Sequence, residues 1–282
     1  AKHAEETLSQ KELSQLEIAQ SEIRYRNVKQ LQVRHLNFAY PDGKQILKDI
    51  SFKAEKGQMI GITGPVACGK STLGKVFLCE YPYEGQILVD GKELQNMPQS
   101  WQTNIIGYLG HDPELFNDSV ENNVLLGDSK NSDTYLNAAC MKQEVAEMTD
   151  GKNTLIGSGG AYLSGGQAKR LAFARTMCHD KPILILDDPF SALDKNTEKQ
   201  AFVNLQALAK DSIVLLISHR LYLFPEMDGV IWMENGKAVT GTHEELLKIV
   251  PEYESLYTSQ VHTTENGGAE HDAQKTSENG DL

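Results

Sequence analysis

An eight-residue phrase, Gly64-Pro65-Val66-Ala67-Cys68-Gly69-Lys70-Ser71, constrains this 282-residue chain more than any other feature. It follows the apolar run Met59-Ile-Gly-Ile62 and opens a helix-compatible stretch that continues through Thr72. A strand, a tight glycine-rich turn and a helix N-terminus in that order bring backbone N–H groups together on a phosphate. Lys70 then supplies a mobile positive charge for the outer phosphates of a nucleotide, and the Ser71 hydroxyl is placed to ligate Mg²⁺. The whole segment from Gly64 to Thr72 is the expected phosphate cradle.

The rest of the chain has the size and texture to carry such a site. With 40% hydrophobic residues, it can bury one large core or two modest ones. No run approaches eighteen apolar residues, and the polar first twenty lack the segments of a signal peptide. Cys68, Cys79, Cys140 and Cys178 stand singly, a spacing that argues against a structural zinc site. A net charge of −12 gives no support for a nucleic-acid groove, and no nucleic-acid partner is expected.

Residues 1–28 are rich in Glu, Gln and Lys and read as a lead-in or linker helix. The compact domain is expected over 29–257, followed by an acidic tail over 258–282 with too few apolar side chains to repay ordering. Within the domain, unbroken apolar runs at 59–62, 183–186 and 213–217 predict strands covered on both faces. Helices are predicted at 70–79, 132–148, 166–178 and 196–209, with hairpins about Asp90-Gly91 and Asn235-Gly236. Thr242 and Glu245 form the spacing of a capping box.

Two further constellations carry chemistry. The run Ile183-Leu-Ile-Leu ends in Asp187 and Asp188, and carboxylates at the carboxyl end of a buried strand face the crevice where open α/β sheets bind ligands. Asp187 is thus a candidate Mg²⁺ ligand, while Asp188 stands close to the attacked phosphate. His219 ends the strand Ile213–Ser218 at comparable depth and can hydrogen-bond a γ-phosphate or orient a water. Leu163-Ser164-Gly165-Gly166-Gln167 precedes a second helix, making another surface of exposed N–H groups with a favourable dipole. One nucleotide already has its cradle, so this second surface suggests closure on a nucleotide held by another domain.

In this order, the phosphate loop, the Ser164–Gln167 phrase, the paired-acid strand, Ser191-Ala-Leu-Asp194 and His219 resemble the nucleotide-binding domain of an ATP-binding cassette (ABC) exporter over roughly 30–257. The resemblance implies a P-loop NTPase α/β sheet, an antiparallel β accessory sheet and a helical signature subdomain at about 115–180. It implies ATP and Mg²⁺ as cofactors, Tyr40 stacked on adenine, and a composite site completed by a second nucleotide-binding domain. It further implies a transmembrane domain as partner at the cytoplasmic face of a membrane, contacted through 110–126.

Four positions depart from the family pattern. Asp188 stands where the glutamate that polarises attacking water is usual, His111 where a glutamine contacts Mg²⁺ and water, Ser158 where a glutamate precedes the signature, and Ala67 where the loop has glycine. Imidazole can also bind metal, so His111 joins Ser71 and Asp187 as a candidate ligand and joins Asp188 and His219 as a candidate catalytic group. Ala67 is sterically acceptable there if its φ is negative. These departures resemble the degenerate half of a heterodimeric bacterial exporter, with a slow site of its own and a nonidentical partner. A regulatory module that binds ATP with negligible hydrolysis, and a soluble ATPase unconnected with transport, are the alternatives.

Overall fold

A computed structural model describes residues 27–157, 160–191 and 193–261. The expected linker over 1–26, Ser158 and the tail beyond 261 lie outside the described residues, as does Ala192.

Strong alternation and long apolar runs sort the strands into two sheets. β1 (Gln30–Ala39) pairs antiparallel with β2 (Gln45–Glu55) and β4 (Glu84–Val89), and β5 (Lys92–Glu93) closes the accessory sheet in the order β2-β1-β4-β5. The second sheet runs β10-β9-β3-β8-β7-β6. Its parallel strands are β3 (Met59–Thr63), β6 (Ile106–Leu109), β7 (Ile183–Asp187), β8 (Ile213–Ile217) and β9 (Gly229–Glu234). β10 (Lys237–Gly241) adds an antiparallel edge. β3, β7 and β8 are buried at every position, as their uninterrupted apolar runs require when both faces are covered. This is the α/β P-loop NTPase fold expected from the sequence, with its antiparallel accessory sheet and helical subdomain.

Helix α1 (Lys70–Val76) lies against the parallel sheet, and a β-carbon on its Gly74 would meet Ile185, Ile217 and Tyr108 at 3.2–3.4 Å. α2 (Gln99–Ile105) leads into β6. On the far side, α3 (Val120–Leu125), α4 (Ser132–Ala138), α5 (Lys142–Ala146) and α6 (Gly165–Cys178) form the helical part, with α7 (Lys195–Leu208) beneath it. The single helix predicted at 132–148 is two: Cys140 adopts φ +54°, and the Met141 amide turns back to the Leu136 carbonyl, ending α4 before α5 begins. α1 similarly ends at Val76 rather than 79, where Cys79 takes φ +53°.

Two apolar cores result. One, between the accessory sheet, α1 and one sheet face, includes Leu31, Leu36, Ile50, Phe77, Ile185 and Leu215. The other, under the helical part, includes Leu136, Phe173, Phe190, Phe202 and Tyr253. The Lys48 amide donates to the Gly236 carbonyl at 2.8 Å and joins the two sheets. Val28, one residue before the predicted limit of 29, is buried in the first core. The helical turns of 251–261 carry the backbone four residues past the predicted limit at Tyr257. α8 (His243–Ile249) carries the capping box read from Thr242 and Glu245.

Candidate nucleotide-binding site

The parallel register brings the carboxyl ends of four strands into one row. Ile62 of β3 lies beside Ile217 of β8, which lies beside Asp187 of β7, and Leu186 lies beside Leu109 of β6. The ladder continues one step beyond the strands: Ser218 N–H donates to Ile62 O at 3.1 Å, and Asp188 N–H to Ile217 O at 2.8 Å. The phosphate loop, Asp187, Asp188, His219 and the segment carrying His111 therefore leave the sheet at the same edge, where open α/β sheets take their ligands.

The loop is held tightly. Gly64 has φ +148°, and a β-carbon there would come within 2.0 Å of the Met233 carbonyl oxygen, so only glycine fits. Gly69 turns the chain into α1 at φ +110°. Lys70 is buried and its ammonium donates to the Gly64 and Pro65 carbonyls at 2.9 and 2.8 Å, with the Cys68 sulfur 3.7 Å away. Val66 stands 87% exposed at the rim. Ala67 does not have the negative φ its side chain favours: it sits at φ +63°, because the loop needs a left-handed turn there whatever the residue.

Tyr40 lies beside the loop, its hydroxyl 3.4 Å from the Thr72 hydroxyl and its ring edge-on to Phe38 and Tyr81. Opposite, Asp187 is buried and one of its carboxylate oxygens has no hydrogen-bond partner, as is true of the Thr63 hydroxyl at the end of β3. Ser71 is exposed at the start of α1. Oxygen donors left unpaired next to a phosphate loop suit a hard divalent cation. Asp188 turns away from β7 at φ +51°. Desolvation first, and the Lys70 charge second, hold the His219 imidazole below its ordinary pKa, while Asp188 and Asp187 pull it upward. His111 is exposed and close enough to His219 to add to the lowering.

Ser164 and Gln167 lie elsewhere. Ser164 is the N-cap of α6 and forms a full capping box with Gln167: Gln167 N–H donates to Ser164 Oγ at 3.2 Å, and Ser164 N–H to Gln167 Oε1 at 2.9 Å. Gln167 Nε2 donates to Glu144 at 3.0 Å, and Glu144 also pairs with Arg170 at 2.6 Å. Hydrogen bonding by Arg170 first holds the Glu144 carboxyl below its usual pKa. Gly165 is exposed, and a β-carbon added to it would meet nothing within 4 Å. The phrase thus presents an open helix N-terminus, and its side-chain hydrogen bonds go to itself and Glu144 rather than to the loop at 64–72.

Three site residues went unread in the sequence. Thr63 is the polar last residue of an apolar strand. Tyr108 in β6 has a buried, unpaired hydroxyl, its pKa raised first by burial and then by Asp187. Lys169, a cation among the apolar positions of α6, is buried and donates to Ser191 Oγ at 3.1 Å. Each interrupts an apolar pattern, which is the signal that could have marked it.

Elsewhere, Asp128, Cys178 and His179 bring donor atoms within 4.8 Å of one another, although their sequence spacing shows nothing of it. Lys130 already supplies a cation there, 3.8 Å from Asp128. In the 110–126 segment, Asn123 is buried and Arg175 ties its carbonyl and that of Glu114 at 2.8 and 3.0 Å, while holding its guanidinium 5.1 Å from the exposed Phe116 ring.

A sheet with a phosphate loop on one parallel strand, paired acids on another and a glycine-rich helix cap outside both defines a P-loop NTPase of the ABC-ATPase layout. Residues 47–191 match the ABC transporter family model, and the chain belongs to that family. It is 37% identical over 238 residues to an ATP-dependent lipid A-core flippase of Burkholderia pseudomallei (strain 1710b), covering 82% of this chain and 40% of the relative. Identity to P-glycoprotein 14 of Caenorhabditis elegans is 33% over 238 residues, covering 82% of this chain and 18% of that one. A solved structure described as a bacterial Atm1-family ABC exporter with ATP bound superposes with a TM-score of 0.78 at 29% identity, over 83% of this chain and 42% of the other. The chain spans two fifths or less of the length of the two curated relatives and 42% of the solved exporter chain. Among the described residues, no helix is long and apolar enough to cross a membrane.

Proposed function

We propose that this chain is the ATP-binding and ATP-hydrolysing domain of an ABC exporter, working at the cytoplasmic face of a membrane with a transmembrane domain and a second, nonidentical nucleotide-binding domain. The observation that carries the reading is the common edge of β3, β7 and β8, which gathers Lys70, Asp187, Asp188 and His219. ATP phosphates enter the cradle of Gly64–Thr72, where Lys70 exchanges the loop carbonyls it now holds for phosphate oxygens. Tyr40 offers its ring to adenine. Ser71 and Asp187 would hold Mg²⁺, with His111 as a third donor, and the ion would neutralise charge on the phosphate oxygens.

Asp188 and His219 are placed to orient and deprotonate water, His219 favouring its neutral form. The aspartate is one methylene shorter than the family's glutamate, and a displacement of about 1 Å can cost on the order of a hundredfold in rate. Own-site turnover is accordingly slow. The outward-facing Ser164–Gln167 cap, with open space at Gly165, serves the nucleotide of the partner domain. The same short Asp188 favours the second reading, a regulatory module that closes on ATP and scarcely hydrolyses it.

Replacing Lys70 by Ala is expected to weaken ATP binding at least tenfold, since a charge-assisted contact to phosphate is lost. Unchanged affinity in a calorimetric titration would sink the cradle. Asp188→Glu is expected to raise ATPase activity in the assembled transporter. If turnover measured site by site stays flat, the shortened side chain alone does not limit the site, and His111 or the partner's signature limits it as well.

A further inference from the structure

Lys169 is a charged group near this edge that the proposed mechanism leaves unused. It lies in the second turn of α6, 6% exposed, and its ammonium donates to Ser191 Oγ at 3.1 Å. Ser191 belongs to the turn that follows Asp188: its amide donates to the Asp188 carbonyl at 3.3 Å, and its own carbonyl accepts from Arg220 at 3.0 Å, the residue after His219. Packing of Phe173 of α6 edge-on against Phe190, ring centroids 5.6 Å apart, fixes the helix on that turn. Burial pushes the Lys169 ammonium down from its ordinary pKa, and the charges of Asp188, Asp187 and Asp112 push it back up.

We infer that Lys169 is a built-in cation of the nucleotide site, tethered by Ser191 beside the Asp187 and Asp188 carboxylates, where it offsets their charge and admits the phosphates of ATP without a divalent ion. Two acids at a phosphate site, one of them buried, repel the polyanion they are meant to receive, and a metal ion ordinarily relieves that repulsion. A fixed ammonium relieves part of it permanently. Lys169 is a positioning residue in this role, acting on ATP through the carboxylates. The inference rests on the reading of this chain as an ATP-binding domain.

The test compares ATP affinity in EDTA with ATP affinity in Mg²⁺, by calorimetry on the chain as it stands. For Lys169→Gln, metal-free affinity is expected to fall about five- to tenfold, while affinity in Mg²⁺ changes less than about twofold. Lys169→Arg restores metal-free binding to within about twofold of the original. A merely structural lysine would lower both affinities together, and that result, or an unchanged metal-free affinity, overturns the inference. If Lys169→Gln does not fold, Ser191→Ala carries the test, since it keeps the charge and cuts its tether: loss confined to metal-free binding upholds the inference, and equal or no loss overturns it. Failure of the original chain to bind ATP in Mg²⁺ would overturn the ATP-binding reading as well, which separates the two failures.

Discussion

Ala67 holds a left-handed backbone conformation at φ +63° in which its β-carbon crowds the following carbonyl, at a cost on the order of 1–2 kcal/mol. Glycine would remove that crowding, although it also gives the unfolded chain more freedom, worth about 0.4–1 kcal/mol. Ala67→Gly is therefore expected to leave stability unchanged or raise it by up to about 1 kcal/mol, where an Ala→Gly change in ordinary loop geometry lowers it. Denaturant titration of both chains checks this, and a clear loss would mean the strain is relieved in another way. At this scale the sequence marked the two tight positions of the loop, because Gly64 and Gly69 take conformations that favour glycine. It did not show the sign of a single φ, which the loop closure imposes from outside the residue. Nor did it show that one Asp187 carboxylate oxygen and the Thr63 hydroxyl are buried without hydrogen-bond partners, since that follows from packing between segments distant in sequence.

Helix α6 begins with a capping box whose two hydrogen bonds are made within this chain. Ser164→Ala removes the acceptor for the Gln167 amide and is expected to cost about 1 kcal/mol of stability. Gly165→Asp enters open space and is expected to leave the isolated domain's stability nearly unchanged while abolishing hydrolysis at the partner's site. Paired measurements of unfolding and of site-resolved ATPase activity separate the two effects; a destabilised Gly165→Asp domain would contradict the open geometry. The same element explains one limit of sequence reading. The glycine-rich phrase predicted a helix start, which is present, but the break at Cys140 inside the helix predicted at 132–148 depends on a local turn that apolar spacing alone does not mark.

Across the whole molecule, burial lowers the pKa of several imidazoles. His179 and His243 both have pKa values lowered first by desolvation, as does His219. A histidine depressed in the folded state takes up its proton more readily in the unfolded chain, so its contribution to stability is present above an unfolded value of about 6.5 and is lost as pH falls below it. Unfolding free energy is expected to decline between about pH 7 and 5, and His179→Gln should flatten that slope. An unchanged slope in denaturant titrations at each pH would show that His179 does not contribute. The layered α/β fold was legible because its strands are unbroken apolar runs; the gathering of Asp128, Cys178 and His179 was not, because it arises from packing between distant segments.

The backbone bond from Lys48 to Gly236 ties the accessory sheet to the turn between β9 and β10, at the margin of the first core, which the two sheets share. Tyr40 packs on the accessory-sheet side of this seam, whereas Asp187 ends a strand of the parallel sheet. The accessory sheet can consequently open from the parallel sheet along this seam at lower free energy than global unfolding. A nucleotide bridging Tyr40 and the sheet edge would act as a crosspiece between them, so that its arrival is registered as slowed amide exchange at the seam, which packs directly behind the phosphate loop through Ile46, Leu47 and Met233.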